Sequence, residues 1–156
     1  MRHIISLLAG LMLASAALAE KVGEVSTAFI LIGANHKVVV EAYDDPKVNG
    51  VTCYVSRART GGVMGAIGLA EDKAEASIAC RQVGPISFAG KAMDPQEEMF
   101  SERISVLFKK LRVVRMLDRK RNVLIYLTYS DKLIDGSPQN GVTAVALGSV
   151  LLPPEK

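Results

Sequence analysis

The chain has 156 residues, 49% of them hydrophobic and 22% charged, with 19 Lys and Arg against 16 Asp and Glu for a formal net charge of +3. That balance excludes a disordered, collagen-like or coiled-coil chain and, at this length, a multidomain enzyme. The charge is too mild for a nucleic-acid binder, and four Tyr, four Phe and no Trp offer few platforms on which bases could stack.

Arg2 and His3 open the chain, residues 4–13 are apolar apart from Ser6 and Gly10, and residues 14–19 turn small. This is the pattern of an export signal, with Ala17-Leu18-Ala19 fitting the small-x-small rule of signal peptidase. Cleavage is expected after Ala19, so that residues 1–19 are a leader and residues 20–156 form one domain. The apolar run is too short for a retained anchor, which needs about 20 apolar residues. No later run reaches that length, so no transmembrane span is expected.

Beyond the leader the chain reads as strand-rich. Residues 22–32 are mostly apolar and end in a turn at Gly33-Ala34-Asn35-His36-Lys37. Residues 37–43 are short and β-branched, a strand that Asp44-Asp45-Pro46 breaks. Asn49-Gly50 predicts a turn. Residues 51–57 then alternate, with Val51, Cys53 and Val55 on one apolar face. Gly61, Gly62, Gly65 and Gly68, with Val63, Met64, Ile67 and Leu69 among them, lack the Gly-Lys-Ser/Thr ending of a phosphate loop, and Glu71-Asp72 would repel phosphate. The stretch reads as close backbone packing or as an apolar docking loop built on Gly61, Gly62, Met64, Gly65, Gly68 and Leu69.

Residues 71–76 favour a helical turn, and residues 77–83, holding Cys80, predict a strand ending at Gly84-Pro85. Asp94-Pro95-Gln96-Glu97 carries a helix-start pattern, predicting a short helix to Ser101. Residues 104–108 and 111–117 are strand-like, residues 118–122 turn, and residues 123–129 return as a hairpin. A turn at Asp135-Gly136-Ser137-Pro138 and an apolar strand over residues 142–152 complete the chain. The expected fold is mainly β (or α+β), a single small domain of antiparallel strands and hairpins with one or two short helices and one disulfide.

Cys53 and Cys80 lie in the exported part, where two thiols in one small domain pair. Their spacing does not suit a redox-active Cys-x-x-Cys site. Seven bases and one acid fall between Lys109 and Arg121. They gather at the two ends of the strand, at Lys109, Lys110 and Arg112 and at Arg119, Lys120 and Arg121. Such ends form either an anion- or partner-binding patch or a solvated hairpin tip guarding apolar strands. Arg115 shares a face with Leu111, Val113 and Leu117, so burial there would demand a carboxylate or carbonyl partner. His36, the one histidine after the leader, could join Asp44 and Asp45 in a small hydrolase or transferase, but no nucleophile motif accompanies them. No metal-ligand spacing and no cofactor motif is present.

Several blocks carry a resemblance. They run from Gly33 and His36-Lys37-Val38-Val39-Val40-Glu41-Ala42 through Asp44-Asp45-Pro46, Gly50-Val51-Thr52-Cys53-Tyr54-Val55-Ser56-Arg57 and Thr60-Gly61-Gly62. Next come Gly68-Leu69-Ala70-Glu71-Asp72, Cys80 and Gln82-Val83-Gly84-Pro85-Ile86. The later blocks are Ser105-Val106-Leu107-Phe108-Lys109, Val113-Val114-Arg115, Lys120-Arg121-Asn122, Tyr129-Ser130-Asp131-Lys132 and Gly136-Ser137-Pro138. Through these the chain resembles the CreA family of small exported bacterial proteins, with residues 87–103 and the last few matching least. The resemblance implies export to the periplasm and carries over no catalytic residue. The reading that follows is an envelope binding module whose partner is an envelope protein or an anionic envelope component, with the His36, Asp44 and Asp45 enzyme as its alternative.

Overall fold

A computed structural model of the chain describes residues 19–29, 31–63, 76–103, 110–131 and 139–156. Eight strands follow in order: β1 (Glu20–Ala28), β2 (His36–Asp44), β3 (Val48–Arg59), β4 (Ala76–Phe88), β5 (Gln96–Arg103), β6 (Lys110–Asp118), β7 (Val123–Ser130) and β8 (Asn140–Ala146). They form two antiparallel four-stranded sheets, ordered β1-β2-β3-β4 and β5-β6-β7-β8. Each sheet is a meander in which neighbours in sequence are neighbours in the ladder. β4 lies against β8 and β7, so the first sheet leans on the second.

Strand alternation sets what lies between the sheets. β7 buries Leu124, Tyr126, Thr128 and Ser130 and half-exposes the residues between them, the period-2 pattern of a sheet with one face inward. Val51, Val55 and Ile78 from the first sheet meet Leu111, Val113, Leu124 and Val145 from the second in one core. Cys53 and Cys80 are register partners on β3 and β4 and are joined by a disulfide within that core. The alternation read from residues 51–57 places Cys53 inward, and the pairing follows from it. β1 is exposed along nearly its whole length and ends the first sheet, with no strand beyond it among the described residues.

The structure departs from the sequence reading at four places. No helix forms after Asp94-Pro95: residues 96–103 are β5, paired with β6 so that Glu97 faces Arg115 and Phe100 faces Val113. A local cap pattern is worth about 1 kcal/mol, less than a full ladder with buried side chains can supply. Asn49-Gly50 is no hairpin turn. Gly50, at φ 77°, sits in a β3 bulge marked by the register shift between Asn49 and Val51, and the turn falls just before, where Asp45 accepts from the amides of Lys47 and Val48. β4 continues through Gly84-Pro85 to Phe88 because these residues lie opposite the bulge, where a missing Pro donor is tolerated; a Cβ on Gly50 would come within 2.4 Å of the Pro85 carbonyl oxygen. β8 stops at Ala146 rather than continuing over residues 147–152, and the tail turns back so that Met93 bonds Pro154 and Lys156. The hairpin of β6 and β7 forms as expected, with Asn122 at φ 53° in its tip. The helical turn expected at residues 71–76, for all but its last residue, the strand at 104–108 and the turn at 135–138 lie outside the described residues.

Candidate functional site

The basic ends of the hairpin are largely paired. Arg112 donates to Asp131 at 2.8 Å and to Glu98. Arg119 donates to Glu155 at 2.7 Å, and Arg121 to Asp118 at 2.9 Å. Lys110 and Lys120 are exposed; Lys109 lies outside the described residues. Arg112 and Arg119 stand seven positions apart along the chain, roughly 20–25 Å for extended backbone, so the two groups do not converge on one ligand. Asp131, Glu98 and Glu155 come from beyond the 109–121 window, which is why the sequence shows a cluster where the structure shows ion pairs.

His36, Asp44 and Asp45 are not brought together. His36 opens β2 and Asp44 closes it, roughly 26 Å apart along an extended strand. The His36 ring accepts the Gly61 amide at Nδ1, 2.9 Å. Asp44 accepts from the Thr52 hydroxyl at 2.6 Å. Among the described residues no group of three or more His, Cys, Asp or Glu is placed to hold a metal ion.

Asp45 instead anchors a buried network. Arg115 is 0% exposed, and its Nη1 donates to both Asp45 oxygens at 2.8 Å. Its Nη2 donates to Glu97 at 2.7 Å, and Lys47 also pairs with Glu97. The Tyr126 hydroxyl donates to Asp45 at 2.8 Å, and burial, followed by the Asp45 charge, raises that phenol well above its ordinary pKa. The fork of one guanidinium thus ties the β2–β3 turn to the second sheet, and the partner demanded for a buried Arg115 is found.

A second network crosses the sheets through Arg57, also buried. Its Nε donates to Glu41 at 2.9 Å and its Nη2 to Glu102, while Arg59 reaches Glu102 at 3.3 Å. Tyr43 donates to Glu102 at 3.0 Å and stacks on Phe100 with ring centroids 3.7 Å apart. Burial works to raise the Glu102 pKa, but the hydrogen bond and charge of Arg57 outweigh it and hold the carboxyl below its ordinary value. A depressed folded-state pKa adds stability that is present above the unfolded value and lost as pH falls through the folded one. The stability gap between the parent and Glu102→Gln should therefore be full at pH 7 and shrink progressively below about pH 4.5. Urea midpoints across that range check this, and a gap unchanged at pH 3 would count against it.

The remaining feature is an apolar edge. The Gly62 amide donates to the Ala34 carbonyl at 2.6 Å, and Gly61 packs so closely that a Cβ there would lie 2.1 Å from the same oxygen. Gly33, at φ 99°, meets Gly62 in the same way. This glycine clasp answers the close-packing reading for Gly61, whereas Gly62 has open space for a Cβ and is set apart by its φ of 80°; Met64, Gly65, Gly68 and Leu69 lie outside the described residues. Around the clasp Phe29 is 82% and Leu31 87% exposed, with Ile32 and Val63 exposed beside them and Val22 and Val25 on β1. Single exposed apolar side chains are ordinary, whereas a contiguous group marks an interaction surface. Composition offered no sign of this group, since residues 22–32 show only that the stretch is mostly apolar.

Among the described residues no helix is long and apolar enough to cross a membrane. No solved structure matches the chain. The family model described as CreA protein matches residues 22–150. Protein CreA of Escherichia coli strain K12 is 53% identical over 149 residues, covering 92% of this chain and 94% of that protein. Protein CreA of Escherichia coli O157:H7 gives the same identity and coverage. A match over this span, including the strands that carry the disulfide, the Asp45–Arg115 pair and the glycine clasp, means that the chain belongs to the CreA family.

Proposed function

We propose that the protein is an exported, periplasmic binding module of the cell envelope, without catalysis of its own, that docks a protein partner at the outer edge of β1 and the apolar side chains beside the glycine clasp. The observation that carries this reading is the exposure of Phe29, Leu31, Ile32 and Val63, the last with its backbone against Gly33, beyond the end of a strand whose outer edge no other strand covers among the described residues. An open edge offers main-chain donors and acceptors to an added strand, and apolar side chains next to it supply affinity and register. The paired arginines of the hairpin make an anionic component the weaker choice of partner. Export is supported by the leader pattern, whose expected cut after Ala19 falls immediately before the first residue of β1, Glu20. A buried disulfide also suits an oxidising compartment.

The test is crosslinking in the intact cell envelope followed by recovery of the tagged protein. A Leu31→Asp, Ile32→Asp variant should lose at least about tenfold of its crosslinked partner, since apolar anchors at an interface are worth about 2 kcal/mol or more, while its melting temperature stays close to the parent's. The triple variant Arg119→Ser, Lys120→Ser, Arg121→Ser should retain the partner. The reverse pattern would move the site to the basic ends, and a full-length protein found in the cytosol would remove the envelope role.

A further inference from the structure

The outward face of the second sheet is apolar. Leu111, Val113 and Arg115 of β6 are buried between the sheets, so Arg112, Val114, Met116 and Asp118 point the other way. Their register partners on β7 are Tyr129, Leu127, Ile125 and Val123, and Leu127 in turn pairs with Val142 on β8. Val142 is 67% exposed, while Met116, Val123, Ile125, Leu127 and Tyr129 are half-buried. Val114 is buried yet lies outside the core between the sheets, as a residue surrounded by these outward neighbours would. An antiparallel sheet with one face on a core ordinarily turns polar side chains to water on the other. A contiguous apolar group in their place marks an interaction surface.

Charge on this face is confined to its rim. Glu98 is paired with Arg112 and Asp118 with Arg121. Arg103 and Lys110 remain. They are register partners on β5 and β6, so two cations stand side by side at one end of the face, an unfavourable placement by itself. Both are exposed, and neither side chain has a partner among the described residues. Lys120 is likewise exposed and unpaired in the hairpin tip, past the Asp118–Val123 rung at the other end. Positive charge left over at both ends decides between occupants. Two copies set face to face would meet cation with cation at each end. The apolar area is also small, roughly 20 Å along β7 from Val123 to Tyr129 and roughly 10 Å across from β6 to β8, against the about 800 Å² per partner of a stable protein interface. A lipid surface demands neither that area nor a matching shape. Apolar side chains enter the acyl boundary, and cations around them meet anionic headgroups.

We propose that this face lays the protein on an anionic phospholipid bilayer, with Ile125, Leu127 and Val142 at the acyl boundary and Arg103, Lys110 and Lys120 on headgroup phosphates. The surface belongs to the second sheet and the β1 edge to the first, so it stands or falls without the protein partner docked at β1. The test is co-sedimentation of the disulfide-intact protein with vesicles of phosphatidylglycerol mixed with phosphatidylcholine, and with vesicles of phosphatidylcholine alone. Binding to the anionic vesicles is expected to be the tighter. The double variant Arg103→Ser, Lys110→Ser should weaken it about thirtyfold, at about fivefold for each basic residue near such a surface. Val142→Asp should weaken it about tenfold or more, since one buried valine is lost and a negative charge added. These substitutions alter exposed side chains and keep the parent's N-terminus, so neither misfolding nor a retained leader would account for the differences. The chain has no Trp, which makes Val142→Trp a single reporter. Its emission should shift to the blue on anionic vesicles and be quenched by brominated acyl chains. The proposal is overturned by an absence of binding to anionic vesicles, by equal binding to phosphatidylcholine, by binding that either the cation or the Val142→Asp change leaves intact, by unquenched Trp emission, or by a dimer in solution that Val142→Asp dissociates.

Discussion

Arg115→Ala is expected to lower the melting temperature by roughly 10–20 °C. The guanidinium is fully buried and is the cation paired with Asp45, whose side chain is 1% exposed. Removing it strands that carboxylate and half-strands Glu97, and breaking a buried pair from one side costs about 3–5 kcal/mol. Arg115→Lys should recover little, because one ammonium cannot reproduce a fork aimed at two carboxylates. The informative comparison is the double variant Arg115→Met, Asp45→Asn. It removes both charges, while the carboxamide keeps an oxygen for the Lys47 and Val48 amides, so it should be markedly more stable than Arg115→Ala. Equal melting temperatures for the two would show that the cost lies in lost packing and not in an unpaired charge.

The second large effect is that of the disulfide. Cys53 and Cys80 are 27 positions apart, and on the chain-entropy model closing such a loop stabilises by about 3–4 kcal/mol. A typical domain has only about 5–15 kcal/mol in all. The Cys53→Ala, Cys80→Ala protein should therefore show a urea midpoint well below the parent's, with a similar slope if the fold is unchanged. Thiol counting on the denatured, unreduced parent should find no free thiol. Two thiols per chain, or a midpoint that reduction leaves in place, would remove the bridge from the stability of this protein. Since the half-cystines join strands already adjacent in the ladder, the loss should appear as a shift in the transition and not as a different fold.

These two devices stabilise different things. The disulfide staples β3 to β4 within one sheet, whereas the Arg115 and Arg57 networks tie the sheets to each other, joined by the stack of Tyr43 from β2 on Phe100 from β5. Burial and the Glu102 charge together raise the Tyr43 phenol above its ordinary pKa, so it stays a hydrogen-bond donor throughout the physiological range. Loss of an inter-sheet tie should loosen packing between layers while leaving β1 and the glycine clasp in place on the first sheet.

What the sequence determined by itself is the local part. Alternation over residues 51–57 placed Cys53 inward, and charged residues between two apolar runs marked the tip of the β6–β7 hairpin. Asp45 was legible as a turn residue because its carboxylate bonds amides two and three positions on. Arg115 was legible as a residue in need of a partner because it shares a face with apolar neighbours. Tertiary structure decided the rest. Asp45 and Arg115 lie 70 positions apart, and nothing in either segment distinguishes Asp45 from Asp44, which is exposed and accepts from Thr52. The helix-start pattern at Asp94 yielded to a β5 ladder whose partner strand lies beyond its own window, and Arg112 and Arg119 of the basic run were paired by acids from β5, the residue after β7 and the chain's tail. Alternation and turn chemistry act over a few residues and can be read locally; charge pairing and the exposure of an apolar segment depend on which strands the folded chain sets beside one another.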